Sequence, residues 1–263
     1  MILSLLLAVV SGSFIGLLLG ATGGGGSLLA IPLLVYVLGV PAQQAALMSL
    51  IVVGLSALMG AWHKSRQNHV RGLAAVLFST TGAVGAWVGA YGHRIVPEET
   101  VLTLFGLLMM GVSWWNIRHL DVDEQTMNQE GCARTFSLLC VGRALALGFG
   151  IGVLTGFFGV GGGFLIVPAL TLLMGFPGPA AVGTSLLIIA LIASGGIIGH
   201  LEAVTLDKAL MSGLLVGGAG GVLFGSRFSS KCGDRAFRKI FGILTGGIGI
   251  LMVMVHMVRP FQP

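Results

Sequence analysis

The chain has few charges. Only 9% of its 263 residues are Asp, Glu, Lys or Arg, against about a quarter in a soluble domain. A water-facing globule with so thin a charged coat would aggregate, so this scarcity excludes an ordinary soluble fold. The nine acidic residues all lie in or near predicted loops, and an ion-driven pump usually needs an acid within the membrane. Coupling would therefore use histidine, the substrate's own protonation or nothing, with simple gradient-driven movement left open. Cysteine is scarce too: Cys132, Cys140 and Cys232 show no metal-ligand spacing. Tyrosine appears twice. The sequence has no HExxH motif, no paired His/Cys/Asp ligands and no strand-then-GxSxG context. These absences argue against an enzyme and against any cofactor. The GxGGG run also lacks the Lys–Ser/Thr ending of a nucleotide-binding loop.

What the chain does have is apolar residues and glycine. Hydrophobic residues make up 55%, and the mean hydropathy is +0.99. The 44 glycines would each cost roughly 0.5–1 kcal/mol inside a water-exposed helix. In lipid they let helix backbones approach closely. The net charge of +5 follows membrane topology and gives no reason to expect nucleic acid.

Sliding the sequence on itself by 136 residues aligns the halves without a gap. Gly12, Gly16, Gly20, Gly23, Gly25 and Gly26 fall on Gly148, Gly152, Gly156, Gly159, Gly161 and Gly162. Pro32, Pro41 and Ser49 fall on Pro168, Pro177 and Ser185. The expected fold is an all-α polytopic membrane protein of two inverted-topology repeats. Each repeat has a Gly-rich broken or re-entrant hairpin and three spanning helices, for about 8–10 apolar helical segments in all. The segments run roughly 2–20, 27–38, 43–61, 72–92 and 100–117. In the second half they run 144–156, 164–175, 180–199, 204–226 and 238–257. Residues 1–117 and 144–263 are the repeats, and 118–143 is a cytoplasmic linker with an interfacial stretch. The second segment of each half spans only roughly 18 Å as a helix, too short to cross upright.

Charge sets the direction. Segments 62–71, 118–143 and 227–239 hold three, three and five basic residues, 11 of the 14 in the chain. Their repeat counterparts 198–207 and 91–103 are acidic or nearly free of cations. With the basic segments in the cytoplasm, both termini lie outside, the halves are inverted relative to each other, and the cysteines face a reducing compartment without partners. A bacterial inner membrane fits this pattern. Trp62, Trp114 and Trp115 read as interfacial anchors. His63, Lys64 and His200 close segments at the interface.

The candidate site is the pair of glycine runs at 20–26 and 156–163. Helix cannot persist through them, and broken backbone inside a membrane survives only beside protein or a water-filled cavity. The helices that follow would aim free N–H groups at each break. The expected substrate-binding residues are Thr22, Gly23, Gly25, Gly26, Ser27, Ser49, Gly159, Gly161, Gly162, Gly163, Thr184 and Ser185. Hydroxyls and amides in this pattern read an oxyanion. The competing reading has the glycines serving close packing and the hydroxyls bonding their own helix carbonyls.

The motifs GATGGGGSLLAIP at 20–32 and GFFGVGGGFLIVP at 156–168 resemble those of the sulfite exporter TauE/SafE family, also called the 4-toluene sulfonate uptake permease family. GVPAQQAALMSL at 39–50 and GFPGPAAVGTSL at 175–186 extend the resemblance over nearly the whole chain. It implies a secondary permease for sulfite or organosulfonates, with protons as a candidate co-substrate and lipid as surroundings. It also implies that the Gly motifs and Thr184–Ser185 lie near the substrate path. The first copy departs from the second, with Ser27 at the third-glycine position and Met48 where the second has Thr184. Alternating access would come from movement of the halves. The alternative is a membrane scaffold without transport activity. Nothing in the sequence sets an oligomeric state.

Overall fold

A computed structural model describes residues 2–66, 70–118, 138–200, 207–228 and 234–258. Its elements are helices α1 (Ile2–Thr22), α2 (Gly26–Pro32), α3 (Ala42–Ser65), α4 (Gly72–Ile95) and α5 (Glu98–Arg118). The second half supplies α6 (Leu138–Phe158), α7 (Gly163–Pro168), α8 (Gly178–His200), α9 (Lys208–Phe228) and α10 (Asp234–Val258). No strand occurs among the described residues. Residues 119–137 of the expected linker, loop residues 201–206, Cys132, Lys231 and Cys232 lie outside the described set.

The short helices owe their form to proline. Pro32 and Pro168 carry no N–H for the helical ladder, and immediately after each the helix loosens into a π-helical turn, Leu33–Val37 and Ala169–Leu173. Gly39 and Gly175 then take positive φ, 66° and 68°, to reverse the chain. Equivalent bonds close both reversals, Val40 N–H to Leu34 O at 3.0 Å and Phe176 N–H to Leu170 O at 3.0 Å. Each corner is thus built the same way twice.

Among the described residues, six helices are long and apolar enough to cross a membrane: α1, α3, α4, α6, α8 and α9. The helices α5 and α10 fall outside that set; the apolar part of α10 is Gly242–Val255. The first arm of each hairpin is therefore of spanning length, and the return arm is the short one. Large apolar side chains such as Val84, Val216 and Phe224 point outward, as a lipid-facing surface requires. Trp62, Trp114 and Trp115 are exposed, with Arg66 over the Trp62 ring at 5.6 Å and Arg118 over Trp114 at 4.1 Å. The helix α6 starts six residues before the apolar segment expected from Ala144, and Arg143 in its second turn is exposed. Cys140 takes part in a disulfide, which corrects the expectation of three unpartnered thiols.

Packing interleaves the halves. A methyl added at Gly12, Gly16 or Gly20 would run into the carbonyl oxygens of Leu214, Gly218 or Val222 on α9. At Gly148, Gly152 or Gly156 it would run into those of Phe78, Gly82 or Ala86 on α4. The 136-residue offset converts one set into the other. Along both seams the numbers rise together, so α1 runs parallel to α9, and α6 to α4. Repeat mates that touch run the other way. Gly54 meets Ala193 and Gly60 meets Leu186 across α3 and α8. Gly106 meets Gly249 and Gly246 meets Ser113 across α5 and α10.

Two bundles result: α1, α2, α3 and α9 in one, and α6, α7, α8 and α4 in the other. Each draws one long helix from the opposite repeat, so the sequence halves are not the packing units. The core between the bundles is made by α3 and α8, whose Leu50, Val53, Leu186, Ile188, Ile189 and Ile192 are fully buried.

Candidate functional site

The two glycine breaks meet at the junction of the bundles. A Cβ on Gly163 would lie 2.6 Å from the Gly24 Cα, and one on Gly24 would overlap the Gly163 backbone. The first residue of α7 therefore rests directly on the break that precedes α2.

The first break is closed by its own hydroxyls. Thr22 Oγ1 donates to Leu18 O at 2.7 Å and accepts from the N–H groups of Gly25, at 2.6 Å, and Gly24, at 3.3 Å. Ser27 Oγ donates to Gly24 O at 2.7 Å. From the other bundle, Ser185 Oγ lies 2.7 Å from Gly23 O and 2.8 Å from Val182 O, able to donate to either. Gly23 needs its glycine for φ 74°, whereas Gly25 is an ordinary right-handed helical residue, φ −60° and ψ −33°. Gly26 packs on Ile15 and Leu19 of α1, which gives it a hairpin-packing role.

The second break is built differently. Three of its glycines have positive φ: Gly159 at 70°, Gly161 at 74° and Gly162 at 63°. Gly159 N–H bonds Thr155 O at 2.8 Å to end α6. No side chain caps α7, and Phe158, the counterpart of Thr22, has no hydroxyl to offer. Gly159 rests on Ala46, and Gly161 on Val53. Ser49 lies between those two on the same face of α3, yet its buried hydroxyl makes no hydrogen bond. Thr155, whose hydroxyl touches Gly162, is likewise buried and unbonded. A buried hydroxyl left without a partner costs about 1–3 kcal/mol.

Eleven of the twelve residues singled out in the sequence thus gather at or against the two touching breaks. Thr184 does not. One position along α8 from Ser185, its Oγ1 accepts the Arg71 N–H at 3.0 Å, beside the start of α4.

Two positions escaped the sequence reading. Thr155 aligns with Leu19, so the repeat gives it no partner hydroxyl and no motif. His93 sits near the end of α4, placed to donate from Nδ1–H to Phe157 O at 2.6 Å. Its ring lies 5.4 Å from that of His200. His200 is 1% exposed, its Nδ1 2.9 Å from Gly196 O, so it is a buried residue and not the interfacial one expected. Arg94 donates to Gly199 O, and Glu98 accepts the Ala42 N–H at 2.5 Å. One end of the assembly is thereby tied together by polar groups from α3, α4, α5 and α8.

A multi-pass helical bundle whose two broken hairpins touch at its centre is the architecture of a membrane transporter. The model of the "Sulfite exporter TauE/SafE" family matches residues 8–252, and the chain belongs to that family. Its members are transporters and not enzymes, and this chain is one of them. A "Probable membrane transporter protein" of Xylella fastidiosa (strain 9a5c) is 33% identical over 255 residues, 95% of both chains. "Probable membrane transporter protein YdhB" of Bacillus subtilis (strain 168) is 27% identical, over 91% of this chain and 96% of its own. "Probable membrane transporter protein MJ0441" of Methanocaldococcus jannaschii is 25% identical over 78% of this chain and 75% of its own. No solved structure matches the chain.

Proposed function

We propose that the protein is a secondary transporter for small sulfur-containing anions, such as sulfite or organosulfonates, working by alternating access around the paired glycine breaks. The observation that carries this reading is the contact of Gly24 with Gly163. It brings two stretches of irregular backbone, with the amide end of α7 among them, to one point where the bundles adjoin. Amides and hydroxyls there favour an oxyanion without a fixed cation. The lack of a strong counter-charge leaves the anion free to depart.

The antiparallel run of touching repeat mates supports an inverted repeat with its axis in the membrane plane. The moving bodies are then the two interleaved bundles in place of the sequence halves, with α3 and α8 sliding at the interface. The distribution of Lys and Arg supports a cytoplasmic 118–143 segment and both termini outside, in a bacterial inner membrane, while the Cys140 disulfide, uncommon in a reducing cytoplasm, weighs the other way. A C-terminal reporter that is active only in the cytoplasm should stay dark; a bright one would reverse this orientation.

The test of function is radiolabelled sulfite and methanesulfonate flux in proteoliposomes, with and without an imposed proton gradient. Saturable flux is expected, and its response to the gradient would bring protons into the mechanism. No flux of any anion in a broad panel, from well-folded protein, would favour the scaffold reading, which the close glycine seams also suit.

A further inference from the structure

We propose that the two breaks divide the labour: the second, Gly159–Gly163, binds the anion through the Ser49 and Thr155 hydroxyls, while the first is a fixed knot that binds nothing. This rests on the transporter reading above and adds the residues that recognise the substrate.

Each hydroxyl that closes the first break has a counterpart at an offset of 136. Thr22, which serves two amides, corresponds to Phe158. Ser27, which binds the Gly24 carbonyl, corresponds to Gly163. Ser185, placed to donate to the Gly23 carbonyl at 2.7 Å, corresponds to Ser49, whose hydroxyl has no partner. The second break therefore lacks every side-chain bond that satisfies the first.

The usual alternative for a buried helical hydroxyl is a bond to its own helix carbonyl. Thr22 makes that bond to Leu18 O, and Ser79 makes it to Ala75 O at 2.6 Å. Ser49 and Thr155 do not, although they are 0% and 1% exposed. Both flank the same loop: Thr155 touches Gly162, and Ser49 lies between the α3 residues that touch Gly159 and Gly161. Two buried donors with no acceptor, beside a loop without a side-chain cap, fit a ligand that is rich in acceptors and poor in donors. A small oxyanion has that chemistry. An amine or a metal cation does not, because the loop offers no carboxylate.

Sulfite serves as the probe, on the full-length protein, with two readouts. Flux in proteoliposomes gives KM, and the sulfite-induced rise in melting temperature in detergent gives binding independently of turnover. Ser49→Ala and Thr155→Val should each raise KM fivefold or more and shrink the sulfite-induced rise. Thr155→Ser, which restores the hydroxyl, should recover most of both. Thr22→Val and Ser185→Ala should lower the melting temperature without sulfite and move KM less than twofold. A KM that rises for Thr22→Val and Ser185→Ala, but not for the other pair, would assign binding to the first break and overturn the proposal. Saturable wild-type flux with all four KM values unchanged would sink the division of labour while leaving the transporter reading intact. Absence of wild-type flux and of any anion-induced stabilisation would remove both.

Discussion

The two glycine breaks hold equivalent places in a duplicated chain, yet they are stabilised by unlike means. The first spends its polar side chains on itself: Thr22, Ser27 and Ser185 leave little of its backbone unserved. The second depends on three positive-φ glycines and on close contact with Ala46 and Val53. The helical seams that flank the breaks show no such divergence, since Gly20 against Val222 repeats Gly156 against Ala86. Packing geometry has kept the symmetry of the duplication, and the hydrogen-bonding inventory has lost it. Symmetry is thus retained where two backbones must touch and relaxed where a ligand could be held.

That contrast can be tested in descending order of effect. Gly20→Val and Gly156→Val should be equally damaging, each costing about 3 kcal/mol or more through overpacking against backbone. Neither should yield a monodisperse peak on size exclusion, and survival of one alone would show that the seams are unequal. Gly161→Ala forces a side chain into the left-handed region, at about 1–2 kcal/mol, and presses on Val53. Flux should fall at least tenfold, with a lowered melting temperature. Its counterpart Gly25→Ala adopts an ordinary helical backbone and should lose far less flux. Smallest is the serine pair. Ser185→Ala removes the hydroxyl that ties α8 to Gly23 and should destabilise by about 1–2 kcal/mol, whereas Ser49→Ala removes an unbonded hydroxyl and should be neutral or slightly stabilising. Equal losses in chemical denaturation would mean that Ser49 is bonded after all.

The sequence carried the helical segments and both breaks, because those depend on local signals: apolar length, glycine density, and prolines at Pro32, Pro41, Pro168 and Pro177. It also carried the equivalence of Ser49 and Ser185. It could not show that the equivalent serines differ in bonding, because that depends on how α8 and α3 sit against the opposite breaks. Thr184 was grouped with Ser185 by adjacency, but one step along a helix turns a side chain by about 100°, and Thr184 faces Arg71. His200 read as interfacial because it ends an apolar segment; the neighbouring end of α4, with His93 and Arg94, buries it. The exchange of α9 and α4 between bundles was equally hidden. An offset tells which residues are equivalent and says nothing of which ones touch.

The parallel seam between α1 and α9 also has a consequence for how the molecule is made. Gly12 and Leu214, which face each other in the finished protein, leave the ribosome about 200 residues apart. At roughly 5–20 residues per second, α1 waits roughly 10–40 s in the membrane for the helix that covers its glycine stripe. The same delay is about a third as long for α4 and α6, whose facing residues Phe78 and Gly148 lie closer in the chain. The second bundle can therefore close while α9 is still being made, and the first is completed last.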